Sequence, residues 1–155
     1  MLSCQDSILD KSVSHSDKMD ILEGAMAKMP QIHCPLEHRF TTGIYARTIF
    51  MPKGTVITSR THKVQHPFVI TKGVCDVCDE DGNTVRLTAG HIGITEPGTR
   101  RVLLIHEDTT WTIFIPTDKT DPVEIAEEIS ESDNPYIPEG FRQGYLGQSG
   151  DLTWR

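Results

Sequence analysis

A β-sandwich or β-barrel with a short helix at each end is the all-β architecture this sequence predicts, on three observations. From about Phe40 to Thr117, short runs of β-branched and aromatic residues alternate with Gly, Pro and Asp. Within that region the segment DEDGN, residues 79–83, supplies a glycine-containing hairpin turn between two such runs. Helical spacing of apolar residues is confined to the flanks, at Asp17–Met29 and after Asp121. A chain of 155 residues accommodates one domain of about 100–150 residues and two arms.

The elements follow in order. Residues 1–18, rich in Ser, Asp and Lys without periodicity, read as a mobile arm of little function. Next, Ile21, Leu22, Ala25, Met26 and Met29 recur at helical spacing until Pro30 stops the pattern, and the Met-rich stripe suits packing on the domain or in a dimer interface. The runs GIYARTIFM, TVITS, HPFVIT, VCDVC, TVRL, RVLLIH and TWTIFIP then account for most of about eight expected strands. Between the last two, HEDTTW groups His106, Glu107 and Asp108 and reads as a turn with solvated charges. After the strands Asp121 can cap a short acidic helix, with Pro122 at its first position and Glu124 completing a capping box. The final Gly/Pro-rich segment carries Tyr136, Phe141, Tyr145 and Trp154, too aromatic for a solvated tail, and is expected to drape over the barrel or a neighbouring subunit. The chain thus divides into an arm and helix (1–37), a barrel (38–117), and an acidic helix with an aromatic tail (118–155).

The net charge of −7 is unevenly placed. Residues 1–37 hold 3 basic and 6 acidic groups, residues 38–117 hold 9 and 7, and residues 118–155 hold 3 and 9. The barrel is therefore mildly basic between acidic extensions. Such a balance disfavours a nucleic-acid polymer as partner but admits a small anion inside the barrel. No apolar run approaches a membrane span and the N-terminus lacks the apolar core of a signal peptide, so no membrane partner and a cytoplasmic location are expected. Cys4, Cys34, Cys75 and Cys78 are too few for a disulfide scaffold. Cys75 and Cys78 lack a second pair at zinc-site spacing, and on a strand they face opposite sides. No G-x-S-x-G, Walker or dinucleotide fingerprint occurs.

The stretch Gly54–Gly73 carries the chemistry. It runs Gly54, five residues, Arg60-x-His62, three residues, His66, six residues, Gly73. This resembles the first motif of the cupins, which are double-stranded β-helix (jelly-roll) barrels. Their motif reads Gly, five residues, His-x-His, three or four residues, Glu, six residues, Gly. GHIGITEPGTRR resembles the second motif, with Glu96-Pro97-Gly98 at the Pro-x-Gly position and Arg101 where the family has histidine. The resemblance covers about 80 residues, Phe40 to Thr117, and leaves out both arms. It implies a small monocupin like those of bacteria and phages, which are commonly dimers, so a homodimer is expected.

In metal-binding cupins three His and one Glu hold the ion. Here Arg60 and Arg101 replace two of the histidines and His66 replaces the glutamate, leaving His62 alone with its family identity. Arginine stays protonated and has no lone pair for a cation. Two unit charges about 4 Å apart at an effective dielectric near 20 interact by roughly 4 kcal/mol, so inward-facing arginines oppose a cation. The same guanidiniums beside His62 and His66 suit phosphate or carboxylate. The expectation is a cupin-like pocket, without cofactor, that binds an anionic metabolite such as a nucleotide or sugar phosphate through Arg60, His62, His66 and Arg101. One alternative is a metal-dependent isomerase or oxygenase holding Fe, Zn, Ni or Mn on His62, His66 and His106. Another is a structural or interaction protein, of phage origin, with the barrel as scaffold. In a purely structural reading Arg60 and Arg101 would instead sit at the rim and pair with Glu37, Glu96 or Glu107.

Overall fold

Two long strands, β5 (His66–Cys78) and β8 (Val102–Pro116), run side by side and organise the molecule. The computed structural model describes residues 11–79, 81–131, 134–136 and 152–154, the last three by backbone alone. Helix α1 (His15–Met26) precedes β1 (Leu36–Thr41), β2 (Ile44–Met51), β3 (Val56–Thr58) and β4 (Thr61–His62). Strands β6 (Thr84–Thr88) and β7 (Ile92–Thr95) lie between β5 and β8 in sequence. Helix α2 (Pro122–Ile129), β9 (Ser130–Glu131) and β10 (Leu152–Trp154) follow β8.

All pairings are antiparallel, and the two long strands are shared. Along one edge of β8, β2 pairs with Thr109–Pro116 and β3 pairs with Val102–Leu104. Along the far edge of β5, β7 pairs with His66–Val69 and β6 with Val74–Cys78. Two layers result, β1-β2-β8-β5-β7 and β10-β3-β8-β5-β6, joined where β5 and β8 bend. This is a jelly-roll arrangement in which only the long strands pass from one layer to the other.

The bend has a local cause. The register of β5 against β8 shifts repeatedly between Ile70 and Cys75, where Lys72 and Val74 face Thr110 and Glu107. Gly73 sits there at φ +96°, and a Cβ on it would lie 2.4 Å from Thr109 Oγ1 and 2.6 Å from Thr109 Cα. Only glycine fits. The other three glycines of the motif spacing, Gly54, Gly90 and Gly98, also have positive φ, which accounts for their places at the turns.

Alternation fills the interior between the layers. Tyr45, Ile49 and Met51 of β2, Phe68 and Ile70 of β5, and Leu103, Ile105, Trp111, Ile113 and Ile115 of β8 are buried. Phe68 stacks on Trp111 at 4.3 Å between centroids. Helix α2 adds Ile125 and Ile129 to this core. Its cap forms as the sequence predicts, with Asp121 Oδ1 accepting from Val123 N at 2.9 Å and Pro122 opening the helix.

Several expectations are corrected. HPFVIT and VCDVC are one strand, β5, and RVLLIH and TWTIFIP are one strand, β8. The turn expected at His106–Asp108 is an irregularity inside β8, because those residues lie opposite the bulges of β5. The sheet also begins earlier than residue 38, since β1 starts at Leu36, an edge strand whose polar sequence hides its pairing.

The first helix begins within the expected arm, at His15, capped by Ser14 Oγ accepting from Asp17 N, and it ends at Met26. Its buried side is Met19, Glu23 and Met26 rather than Ile21, Leu22 and Ala25. Arg100 from the barrel reaches under the helix and pairs with Asp20 at 2.7 Å and Glu23 at 2.8 Å. Asn134 Nδ2 also donates to Glu23 Oε2, at 2.8 Å. Residues 1–10 of the arm and most of the aromatic tail lie outside the described residues, but backbone pairing of Leu152–Trp154 with Val56–Thr58 lays part of the tail against β3.

Candidate functional site

A cavity of about 60 Å³ opens between the layers. Its polar lining is Arg47, Ser59, His62, His66, Thr95 and Arg101. Ile49, Met51, Ile57, Leu103, Trp111 and Ile113 form the apolar part. No carboxylate is among the described residues that line it.

Each polar group is placed by its strand. His66 opens β5 and faces Thr95 of β7 across the ladder. It is 1% exposed, and its Nδ1 donates to the Val64 carbonyl at 2.9 Å. His62 is held in β4 by its N–H donating to Thr99 O at 3.0 Å and by Gly98 N donating to its carbonyl at 2.8 Å. The two imidazoles meet edge to face, 4.9 Å between centroids. Arg101 enters from the segment before β8, where its backbone N–H donates to Ser59 Oγ and Ser59 N–H donates back to Arg101 O. Its guanidinium donates to Thr95 Oγ1 at 3.1 Å and lies 5.3 Å over the Phe68 ring. Arg47 comes from the middle of β2, sharing the inward side with Tyr45, Ile49 and Met51.

Among the described residues the charge on the cavity wall has one sign. Burial, then His66, Arg47, Arg101 and Arg60, push the His62 imidazole down to about 3. Burial is also the largest cause lowering His66; its hydrogen bond to Val64 opposes this, and Arg47 and Arg101 add to the lowering. Both rings are therefore neutral at pH 7, and the formal charge that the described residues bring to the cavity is that of two guanidiniums.

Of the residues singled out from the sequence, His62, His66 and Arg101 line this cavity together. Arg60 does not line the cavity. The chain leaves extended pairing between β3 and β4, and Arg60 Nε donates instead to Glu131 O on β9 at 3.4 Å. His106 is also elsewhere, on the opposite side of β8 from Ile105, where Asp76 Oδ2 lies 2.7 Å from its Nε2. Asp76 pairs in addition with Arg86 at 2.8 Å. Sequence reasoning missed Arg47, Ser59 and Thr95. For Arg47 a signal existed, since GIYARTIFM places it in phase with residues whose side chains fill the core.

The described residues of the cavity do not fit the metal that the resemblance to metal-binding cupins implies. Two imidazoles face the cavity where three His and one Glu would be needed, and two guanidiniums stand beside them. Among the described residues no group of three His, Cys, Asp or Glu side chains converges anywhere.

No protein-family model matches the sequence, and no curated protein matches it. Solved structures do resemble it. An ectoine synthase from P. lautus superposes with a TM-score of 0.50 at 14% identity, over 66% of this chain and 77% of that one. A cupin-2 domain protein from Shewanella frigidimarina covers 74% of this chain and 100% of its own at 12% identity, TM-score 0.45. An RmlC-like cupin with a double-stranded β-helix fold from Methanocaldococcus jannaschii covers 54% and 81% at 15% identity, TM-score 0.45.

Proposed function

Because the chain has the cupin fold, we propose that it is a small-molecule-binding protein whose barrel cavity holds an anionic group through Arg47 and Arg101. One observation carries the reading: two guanidiniums face one cavity that no described carboxylate enters. Arginine presents donors in a planar fork matched to phosphate and carboxylate, and the apolar walls keep the local dielectric low enough for that match to count. Neutral imidazoles add hydrogen-bonding capacity without further charge. Phe68 and Thr95 hold the Arg101 guanidinium in place before a ligand arrives, which lowers the ordering cost of binding.

The size of the cavity refines the ligand. Pockets that enclose a drug-sized molecule measure about 300–1,000 Å³. About 60 Å³ admits a phosphate or carboxylate group and a few further atoms. If that group belongs to a nucleotide or sugar phosphate, the rest of the metabolite lies in the mouth.

The test is calorimetric titration of the full chain with inorganic phosphate. Arg101→Gln should weaken binding at least tenfold, or about 1.4 kcal/mol. Equal affinity for phosphate in the wild type and the variant would count against the reading, as would no binding in either.

A further inference from the structure

The two long strands change character where they pass from one layer to the other. In the layer β10-β3-β8-β5-β6 their outward positions carry charge, since Asp76 of β5 pairs with Arg86 of β6 at 2.8 Å and with His106 of β8 at 2.7 Å. In the layer β1-β2-β8-β5-β7 the same strands turn Pro67 and Phe114 outward, alternating with the buried Phe68 and Ile113. A sheet face that meets water ordinarily carries polar residues. The outside of the first layer follows that rule and the outside of the second does not.

Cross-strand register extends this outside into rows. Ile94 pairs with Pro67, Phe114 pairs with Ala46, and one step along the strands Ile92, Val69, Thr112 and Thr48 form a continuous row across β7, β5, β8 and β2. Ile92 is 72% exposed, Ile94 52% and Phe114 37%. The hydroxyls of Thr48 and Thr112 already bond to each other at 2.8 Å. Across residues 44–51, 110–116, 66–70 and 92–95 no outward position holds a charged side chain. At the β1 margin Glu37 and Arg39 pair with each other at 2.7 Å.

We propose that this face is the contact surface of a homodimer, with a second copy of the chain as its occupant. Its size suits that occupant. Strands about 4.8 Å apart and about 20 Å long, five across, present roughly 400–500 Å² in projection. Two copies together then bury about 800–1,000 Å² before side-chain relief is counted, which is the range of a reversible association and not of a permanent one. Exposed apolar patches of this extent mark interaction sites, and a two-fold contact sets the same rows against each other without any feature to recognise a foreign partner. The chain's own tail is anchored elsewhere: Asn134 Nδ2 donates to Asp20 O of α1, and Leu152–Trp154 pair with β3. Residues 137–151 therefore set out from α1 and return to β3, whose partner on β8 is Val102–Leu104, ten positions before Phe114.

Sedimentation equilibrium of the full chain tests it. The wild type should be dimeric at about 200 μM and dissociate on dilution. Ile92→Lys and Ile94→Lys, at positions exposed enough for the fold to carry a lysine, should each raise the dissociation constant at least about tenfold. Leu104→Lys, at a position 42% exposed on the outside of the other layer, should leave it within about twofold. Thermal unfolding of the dilute monomers serves as the control that the lysine variants fold. A wild type that is monomeric at about 200 μM, or a dimer that Leu104→Lys weakens and Ile94→Lys spares, overturns the proposal. Hydroxyl-radical footprinting distinguishes the remaining occupant: Phe114 should be oxidised in the dilute monomer and protected in the dimer. Protection already present in the monomer would mean that a segment of the same chain covers the face, which overturns the proposal as well.

Discussion

The guanidinium of Arg101 lies 5.3 Å over the ring of Phe68, and that ring is stacked on Trp111 at 4.3 Å. A charged donor in the cavity is therefore positioned by the same aromatic pair that fills the core between the layers. Core packing and ligand affinity should be coupled at this point. Phe68→Leu keeps every charge, yet it should lower affinity for phosphate by about two- to thirtyfold, the cation–π contribution of about 0.5–2 kcal/mol. Chemical denaturation should show an accompanying stability loss of about 1–2 kcal/mol. Lost stability with unchanged affinity would mean that the ring does not orient the guanidinium.

The two remaining arginines near the site should behave differently. Arg47 faces the cavity, whereas Arg60 is turned toward Glu131 O. Arg47→Gln should weaken phosphate binding at least tenfold, and Arg60→Gln should leave it within about twofold, by the same titration. The reverse pattern would show that the motif position, and not the observed geometry, determines the site.

How much of this was legible beforehand depends on the range of each signal. The motif glycines report local backbone conformation, so Gly54, Gly73, Gly90 and Gly98, matched to the cupin motifs, fall at positive φ where the chain turns or bends. The same locality misled at TKG and HED. Lys72-Gly73 and Glu107-Asp108 break the apolar alternation as turns do, but they lie near each other across the β5–β8 ladder and bend two continuous strands. Arg60 was placed in the pocket by motif position, which cannot register the loss of extended pairing between β3 and β4. Helix α1 shows the limit most clearly. Its buried Glu23 looks like a surface residue until Arg100, 77 positions away, is seen beneath it.

That buried pairing yields a stability prediction. Arg100→Met would leave the Asp20 and Glu23 carboxylates with little exposure and without their cation. Removing one member of a buried ion pair costs about 3–5 kcal/mol. Urea denaturation should show a loss of that order, and hydrogen exchange should show amides of His15–Met26 losing protection first. A loss below about 1 kcal/mol would mean that the helix is held by Met19 and Met26 alone.

Acid should destabilise the fold through His62. Its imidazole stays neutral in the folded chain down to about pH 3, while the unfolded chain protonates near 6.5. Between these values the unfolded state binds more protons, so stability falls as pH falls through the window, by up to about 1.4 kcal/mol per pH unit from this group. His62→Phe should flatten the slope between pH 6.5 and 5 in urea titrations; an unchanged slope would show that the ring protonates in place.

The central claim is the proposal that the barrel cavity holds an anion through Arg47 and Arg101. A crystal structure at high resolution, grown with phosphate and without chelator and measured for anomalous scattering, tests it most directly. The account predicts a tetrahedral anion within hydrogen-bond distance of both Arg47 and Arg101 and no anomalous metal peak in the cavity. A transition-metal peak on His62 and His66, with the arginines turned away, would contradict it.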